Sequence, residues 1–154
     1  MKAIILYATK HGATAEIARR IADKIEGATI HNLEQPAPNL ADYDCIIVGS
    51  AVYAGTFRKE SKAFFAQNLE ILKGKKLYLF ASGMSKSESD KFFVENVPAE
   101  LMQVAKASML LGGMFDPKKA NFAERLIMKI VTKQSGHIDA IDDDKIETFA
   151  EAVK

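Results

Sequence analysis

Three unbroken apolar runs constrain the fold most: Ala3–Ala8, Cys45–Val48 and Leu77–Ala81. Each is strand-sized, and each ends in polar or glycine-bearing residues. A strand with one wet face alternates apolar and polar residues. A strand apolar throughout is buried on both faces, as in a parallel sheet covered by helices on both sides. Thr29–Leu33 is a weaker strand candidate, and Ser108–Leu111 is the last one.

The segments between these runs carry helical spacing. Ile17, Ile21 and Ile25 recur every four residues with Ala18 and Ala22 beside them, and Gly27 closes that helix. Phe64, Phe65, Leu69 and Leu72 mark a second helix stopped by Gly74. Phe92–Val94 mark a short one ending before Pro98. Asp116–Pro117 opens a longer one, with Phe122, Leu126, Ile127, Ile130 and Val131 as its apolar face and Gly136 as its end. A final helix starts near Asp142 and Asp143, with Ile146, Phe149, Ala150 and Val153 on one side. Pro36 and Pro38 exclude regular structure from the connection between the second and third strands. Five strands alternating with helices predict an α/β, doubly wound parallel sheet.

A chain of 154 residues is the size of one domain, so residues 1–154 are expected to form a single unit. With 21 basic and 20 acidic residues the net charge is +1, which excludes a strongly basic nucleic-acid binder and a charged disordered tail. One cysteine excludes a disulfide framework and a thiolate metal cluster. The histidines, His11, His31 and His137, are scattered and propose no metal site. No apolar run reaches the ~18 residues needed to span a bilayer, and no cleavage signal follows the first strand. The expected address is the cytoplasm.

In an open parallel sheet, ligands bind at the carboxyl ends of strands where strand order reverses. Three loops of this chain qualify. Thr9-Lys10-His11-Gly12-Ala13-Thr14 has a hydroxyl at each end, a glycine between, and a helix start behind it. Unpaired amides and the helix dipole favour an anion there, most simply a phosphate. Neither a Walker loop nor the dinucleotide fingerprint is present. Ser50-Ala51-Val52-Tyr53-Ala54-Gly55 offers an aromatic side chain for a planar ring. Ser82-Gly83-Met84 lets backbone approach a ligand closely.

These loops resemble the flavodoxins. Thr9-x-His11-Gly12-x-Thr14 is similar to their phosphate loop, and Tyr43-Asp44-x-Ile46-Ile47-x-Gly49-Ser50-x-x-Tyr53-x-Gly55 to their second flavin loop. His11 stands where flavodoxins usually carry a small hydroxyl residue, and Ala51 where many carry proline. The resemblance implies a flavodoxin-like sheet of strand order 2-1-3-4-5 and flavin mononucleotide (FMN) as cofactor. It implies that residues 9–14 hold the phosphate, while Ser50–Gly55 and Ser82–Met84 enclose the isoalloxazine ring with Tyr53 stacked on it.

A narrower resemblance lies in Gly112-Gly113-Met114-Phe115-Asp116-Pro117, then Phe122, Arg125-Leu126-Ile127-Met128-Lys129-Ile130 and Ser135-Gly136. This stretch is similar to the menaquinone-dependent protoporphyrinogen dehydrogenases. It implies an oxidoreductase with a quinone as acceptor and an anionic porphyrinogen as substrate; the alternative is an electron carrier docking to a protein redox partner. No side chain presents itself as a general acid or base.

Arg125, Lys129 and Lys133 share one helix face, a solvated stripe or a peripheral contact with an acidic membrane surface. Lys10, Arg58, Lys59 and Lys86 lie in or beside the three loops, with Glu60 the nearest acid to the second. Cys45 is expected to be core packing.

Overall fold

The computed structural model describes residues 1–83, 89–115 and 138–154. The expected helix from Asp116 to Gly136 and the residues Met84 and Lys86 lie outside that set.

The central sheet is built from β1 (Ala3–Ala8), β2 (Thr29–Asn32), β3 (Cys45–Tyr53), β5 (Lys76–Ser82) and β6 (Ala107–Leu110). They run parallel in the order β2-β1-β3-β5-β6. This is the expected 2-1-3-4-5 arrangement of five parallel strands. A short β4 (Thr56–Phe57) adds antiparallel to β3, and β7 (Met114–Phe115) pairs with β8 (Ile138–Asp139) in a separate two-stranded ribbon.

Strand residues alternate between two cores, one on each face of the sheet. Ile4, Leu6, Ile46, Val48, Leu77 and Leu79 point to one face. There they pack with Phe64 and Phe65 of α2 (Lys59–Gln67), Leu72 of α3 (Leu69–Lys73), Phe93 of α4 (Ser89–Asn96) and Leu101 of α5 (Ala99–Val104). Ala3, Ile5, Cys45, Ile47, Tyr78 and Phe80 point to the other, against Ile17, Ala18 and Ile21 of α1 (Ala13–Ala22) and Ile146, Phe149 and Val153 of α6 (Asp143–Val153). That double burial is why the runs are unbroken in sequence. The Asp142 side chain caps α6 by accepting the Lys145 amide at 3.0 Å.

The structure corrects three boundaries. β3 does not stop at Val48; it runs on to Tyr53. Gly49 marks no strand end but a close approach, since a Cβ there would sit 2.0 Å from the Phe80 ring on the neighbouring strand. The second expected helix is two, α2 and α3, broken at Asn68, whose Nδ2 donates to the Phe64 carbonyl at 3.0 Å and competes with the helical ladder. Regular α1 ends at Ala22, five residues before Gly27; Gly27 (φ 76°) carries the turn into β2 instead.

Candidate functional site

The first loop leaves β1 and enters α1 at Gly12, whose φ of 102° lies in the left-handed region that favours glycine. Thr9 Oγ1 accepts the Gly12 amide at 2.9 Å and closes the loop. Among the described residues no side chain caps α1, which leaves the amides of its first turn for an acceptor beside the loop. Thr14, one residue into the helix, is fully buried, and its hydroxyl shares a 2.7 Å hydrogen bond with the Ser82 hydroxyl at the end of β5. The first and third loops are therefore joined directly.

The second loop is not an open loop. Val52 and Tyr53 pair with Phe57 and Thr56 across a two-residue turn, Ala54–Gly55, with φ of 51° and 80°. Both central residues lie in the left-handed region, the pattern of a type I′ hairpin. Ser50 is buried beneath it; its hydroxyl donates to the Ala51 carbonyl and accepts the Arg58 amide at 2.9 Å. At the hairpin tip Tyr53 is 41% exposed. Lys10 Nζ sits 3.9 Å from the Tyr53 ring centroid, a cation–π contact tying the first loop to the second.

Of the third loop, Ser82 and Gly83 are described and Met84 is not. The Gly83 amide donates to the Gly112 carbonyl at 3.0 Å, and a Cβ at Gly113 would lie 3.1 Å from the Gly83 backbone. Gly112 has φ 85°, and a Cβ there would meet the Ala140 carbonyl oxygen at 2.2 Å. The Gly112–Gly113 pair is the crossing point of three backbones: a side chain at Gly112 is excluded, and one at Gly113 would require the Gly83 backbone to give way slightly.

Sequence reasoning missed Asn96. It stands at the end of α4, 8% exposed, with its carboxamide fully engaged. Oδ1 accepts the Phe57 amide at 3.0 Å, and Nδ2 donates to the Gly55 and Phe92 carbonyls at 2.9 and 2.8 Å. Phe57 and Phe93 pack edge-to-face at 5.8 Å alongside. The hairpin is thus clamped to α4 by one side chain. An asparagine late in an amphipathic helix carries no sequence signal for this; the partners lie 41 and 39 residues away.

Beside Tyr53 a cleft of about 400 Å³ is lined by Lys10, Thr56, Phe57, Arg58 and Lys59, with no acidic residue among them. Arg58 Nε stands 3.6 Å from Glu60 Oε2, too far for a hydrogen bond, and neither atom has a hydrogen-bond partner among the described residues. A second cleft opens at the amino edge of the sheet, between Met1, Asp44 and Gly74–Lys76. The Lys2 amide donates to Asp44 there and holds its carboxyl below the usual range. The hydroxyl–glycine loops all sit at the other edge. Cys45 is core packing in β3, as expected, and burial pushes its thiol up to about 11, away from the thiolate form.

The flavodoxin domain family model matches residues 4–140. Flavodoxin 2 of Bacillus cereus is 23% identical, with a TM-score of 0.64 over 99% of this chain and 97% of that one. A flavoprotein of Lactobacillus acidophilus NCFM, solved in complex with FMN, is 16% identical, with a TM-score of 0.54 over 71% and 92%. The rubredoxin oxygen:oxidoreductase of Desulfovibrio gigas is 18% identical, with a TM-score of 0.58 over 99% of this chain and 35% of that one. These structural likenesses concern the fold. An uncharacterized protein of Methanocaldococcus jannaschii is 38% identical over 85 residues, 53% of this chain. That match spans about half the length of the relative, 54%.

Proposed function

Because this chain belongs to the flavodoxin domain family, we propose that it is an FMN-binding redox protein that exchanges electrons with a protein partner. The observation that carries the reading is the convergence of three loops at one sheet edge, with Thr14 and Ser82 hydrogen-bonded across it. The donor set fits a flavin phosphate. Among the described residues the first-turn amides of α1 lack a side-chain cap, Gly12 opens the backbone, and the Thr9 and Thr14 hydroxyls flank the loop.

In this reading residues 9–14 hold the phosphate, and the Ser50–Gly55 hairpin with Ser82, Gly83 and Met84 encloses the ring. Lys10 covers one face of the Tyr53 ring, leaving the opposite face for a planar ligand. FMN supplies the electron chemistry when bound. The chain binds and orients it, and sets the charge around it. The Ala54–Gly55 turn is short and pinned by Asn96, so the ring-facing backbone is fixed before a ligand arrives. Lys10, Arg58 and Lys59 place positive charge near the site, which favours a reduced, anionic flavin and raises its potential above that of an acidic flavodoxin.

The quinone-linked protoporphyrinogen dehydrogenase reading rests on residues 112–136, of which 116–136 lie outside the described residues. The resemblance alone supports it. The basic stripe Arg125, Lys129 and Lys133 lies in the same segment, and with it the peripheral membrane contact. Among the described residues no helix is long and apolar enough to cross a membrane.

The test is the visible spectrum of the purified protein and the mass of the released chromophore. A flavin spectrum with the mass of FMN is expected. A chain that stays colourless when mixed with FMN would refute the reading. Turnover of a porphyrinogen with a quinone would transfer the assignment to the dehydrogenase.

A further inference from the structure

The residues around the Tyr53 hairpin are arranged against local preference. Arg58 is the N-cap of α2 and Lys59 its first residue, so both cations stand at the positive end of the helix dipole, where acidic residues are stabilising. The two side chains gain little from this: Lys59 is exposed, and among the described residues Arg58 Nε faces Glu60 Oε2 at 3.6 Å, too long for a hydrogen bond. Residues that break a local rule without a packing gain mark function.

Around them the surface has the anatomy of an interface. Tyr53, 41% exposed, carries Lys10 over its ring and lines one cleft with Arg58, Lys59, the exposed Thr56 and the buried Phe57. Tyr and Arg are the residue types that dominate binding energy at protein contacts. Lys10, Tyr53, Thr56 and Lys59, four of the residues lining the cleft, are exposed, whereas a small-molecule site buries most of its ligand. The whole chain carries only +1, so this cationic rim is local.

We propose that the rim formed by Lys10, Arg58 and Lys59 around Tyr53 docks the acidic face of an electron-transfer protein. The proposal rests on the flavin reading, because the rim borders the residues assigned to the ring. Charge complementarity there steers encounter and sets orientation, so that the partner's redox centre arrives at the hairpin edge.

The test uses flavin-loaded, isotope-labelled protein. The probes are an acidic [2Fe–2S] ferredoxin, basic cytochrome c, and citrate as a small carboxylate. Amide signals are followed by NMR at low salt and at about 0.2 M salt, where the Debye length is below about 8 Å. With ferredoxin, signals of residues 53–59 should shift or broaden, and affinity should fall as salt rises. Arg58→Gln/Lys59→Gln, compared with the parent at equal flavin content read from the spectrum, should lose about three- to tenfold in ferredoxin affinity, as expected for the loss of one exposed and one half-buried charge. Cytochrome c should leave these signals unmoved.

The docking proposal falls if ferredoxin perturbs another face, if the double variant binds as the parent does, or if cytochrome c engages the same residues. It falls too if citrate binds at residues 53–59 as tightly as ferredoxin, which makes the rim a small-anion site. A parent that takes up no flavin, seen in its spectrum before any probe is added, overturns both this proposal and the reading beneath it.

Discussion

Replacing Asn96 tests whether one side chain holds the second loop in place. Asn96→Ala removes three hydrogen bonds, to Phe57, Gly55 and Phe92. At roughly 1 kcal/mol net for each, the loss is about 3 kcal/mol. For a domain of this size that is a drop of about 6–12 °C in Tm. Asn96→Asp is the sharper variant. One carboxyl oxygen still accepts the Phe57 amide, but the other faces the Gly55 and Phe92 carbonyls, both acceptors. An ionised carboxylate is repelled there, while a protonated one can donate. The folded state therefore raises the pKa of the introduced carboxyl. A raised carboxyl pKa favours the fold at low pH, and that contribution is lost as pH rises through the folded value. Measured against the parent at each pH, Asn96→Asp should be most destabilised at pH 7 and recover toward pH 4. FMN affinity should follow the same course. Thermal melts and flavin titrations from pH 4 to 8 read both. A stability gap that does not change with pH, or a Tm for Asn96→Ala within about 1 °C of the parent, refutes the clamp.

Tyr53→Ala should weaken FMN affinity by about 1–3 kcal/mol through lost burial and stacking, with less quenching of flavin fluorescence; a fluorescence titration checks it. Gly49→Ala should destabilise the fold by about 1–3 kcal/mol, because the Phe80 ring must move to admit the new methyl; chemical denaturation measures the cost. Arg19 and Arg20 hold Glu16 down from its ordinary 4.5 to about 2, so Glu16 favours the fold above its ordinary pKa and that help fades as pH falls toward 2. Comparing the parent with Glu16→Gln in acid titrations should show a gap at pH 7 that closes over that window. Cys45 should resist alkylation at pH 8 in the folded protein and react only on unfolding, as mass spectrometry would show.

The sheet was legible because burial on both faces leaves an unbroken apolar run, and Ala3–Ala8 and Leu77–Ala81 are such runs. The first loop's place was legible because a glycine between hydroxyls at a helix start is local chemistry, and Gly12 does open α1 with a φ of 102°. The hairpin was not. Ser50 to Gly55 looks like a loop, and only the pairing of Val52 with Phe57 and the left-handed Ala54–Gly55 turn make it a strand and its return. Gly49 read as punctuation, but its reason is a phenyl ring on another strand. Asn96 and the Gly112–Gly113 crossing were invisible as site features for the same reason. Their partners are tertiary, and no residue nearby in sequence announces them.

If residues 9–14 grip the phosphate of FMN, riboflavin, which lacks that phosphate, must bind far more weakly. Two charge-assisted hydrogen bonds at about 1.5 kcal/mol each give about 3 kcal/mol, or roughly a hundredfold. By calorimetric titration the parent should bind FMN about a hundredfold more tightly than riboflavin, and Thr14→Glu should abolish that preference through repulsion at the helix start. Equal affinities for the two flavins in the parent, or an undiminished preference in Thr14→Glu, would mean that residues 9–14 do not hold the phosphate.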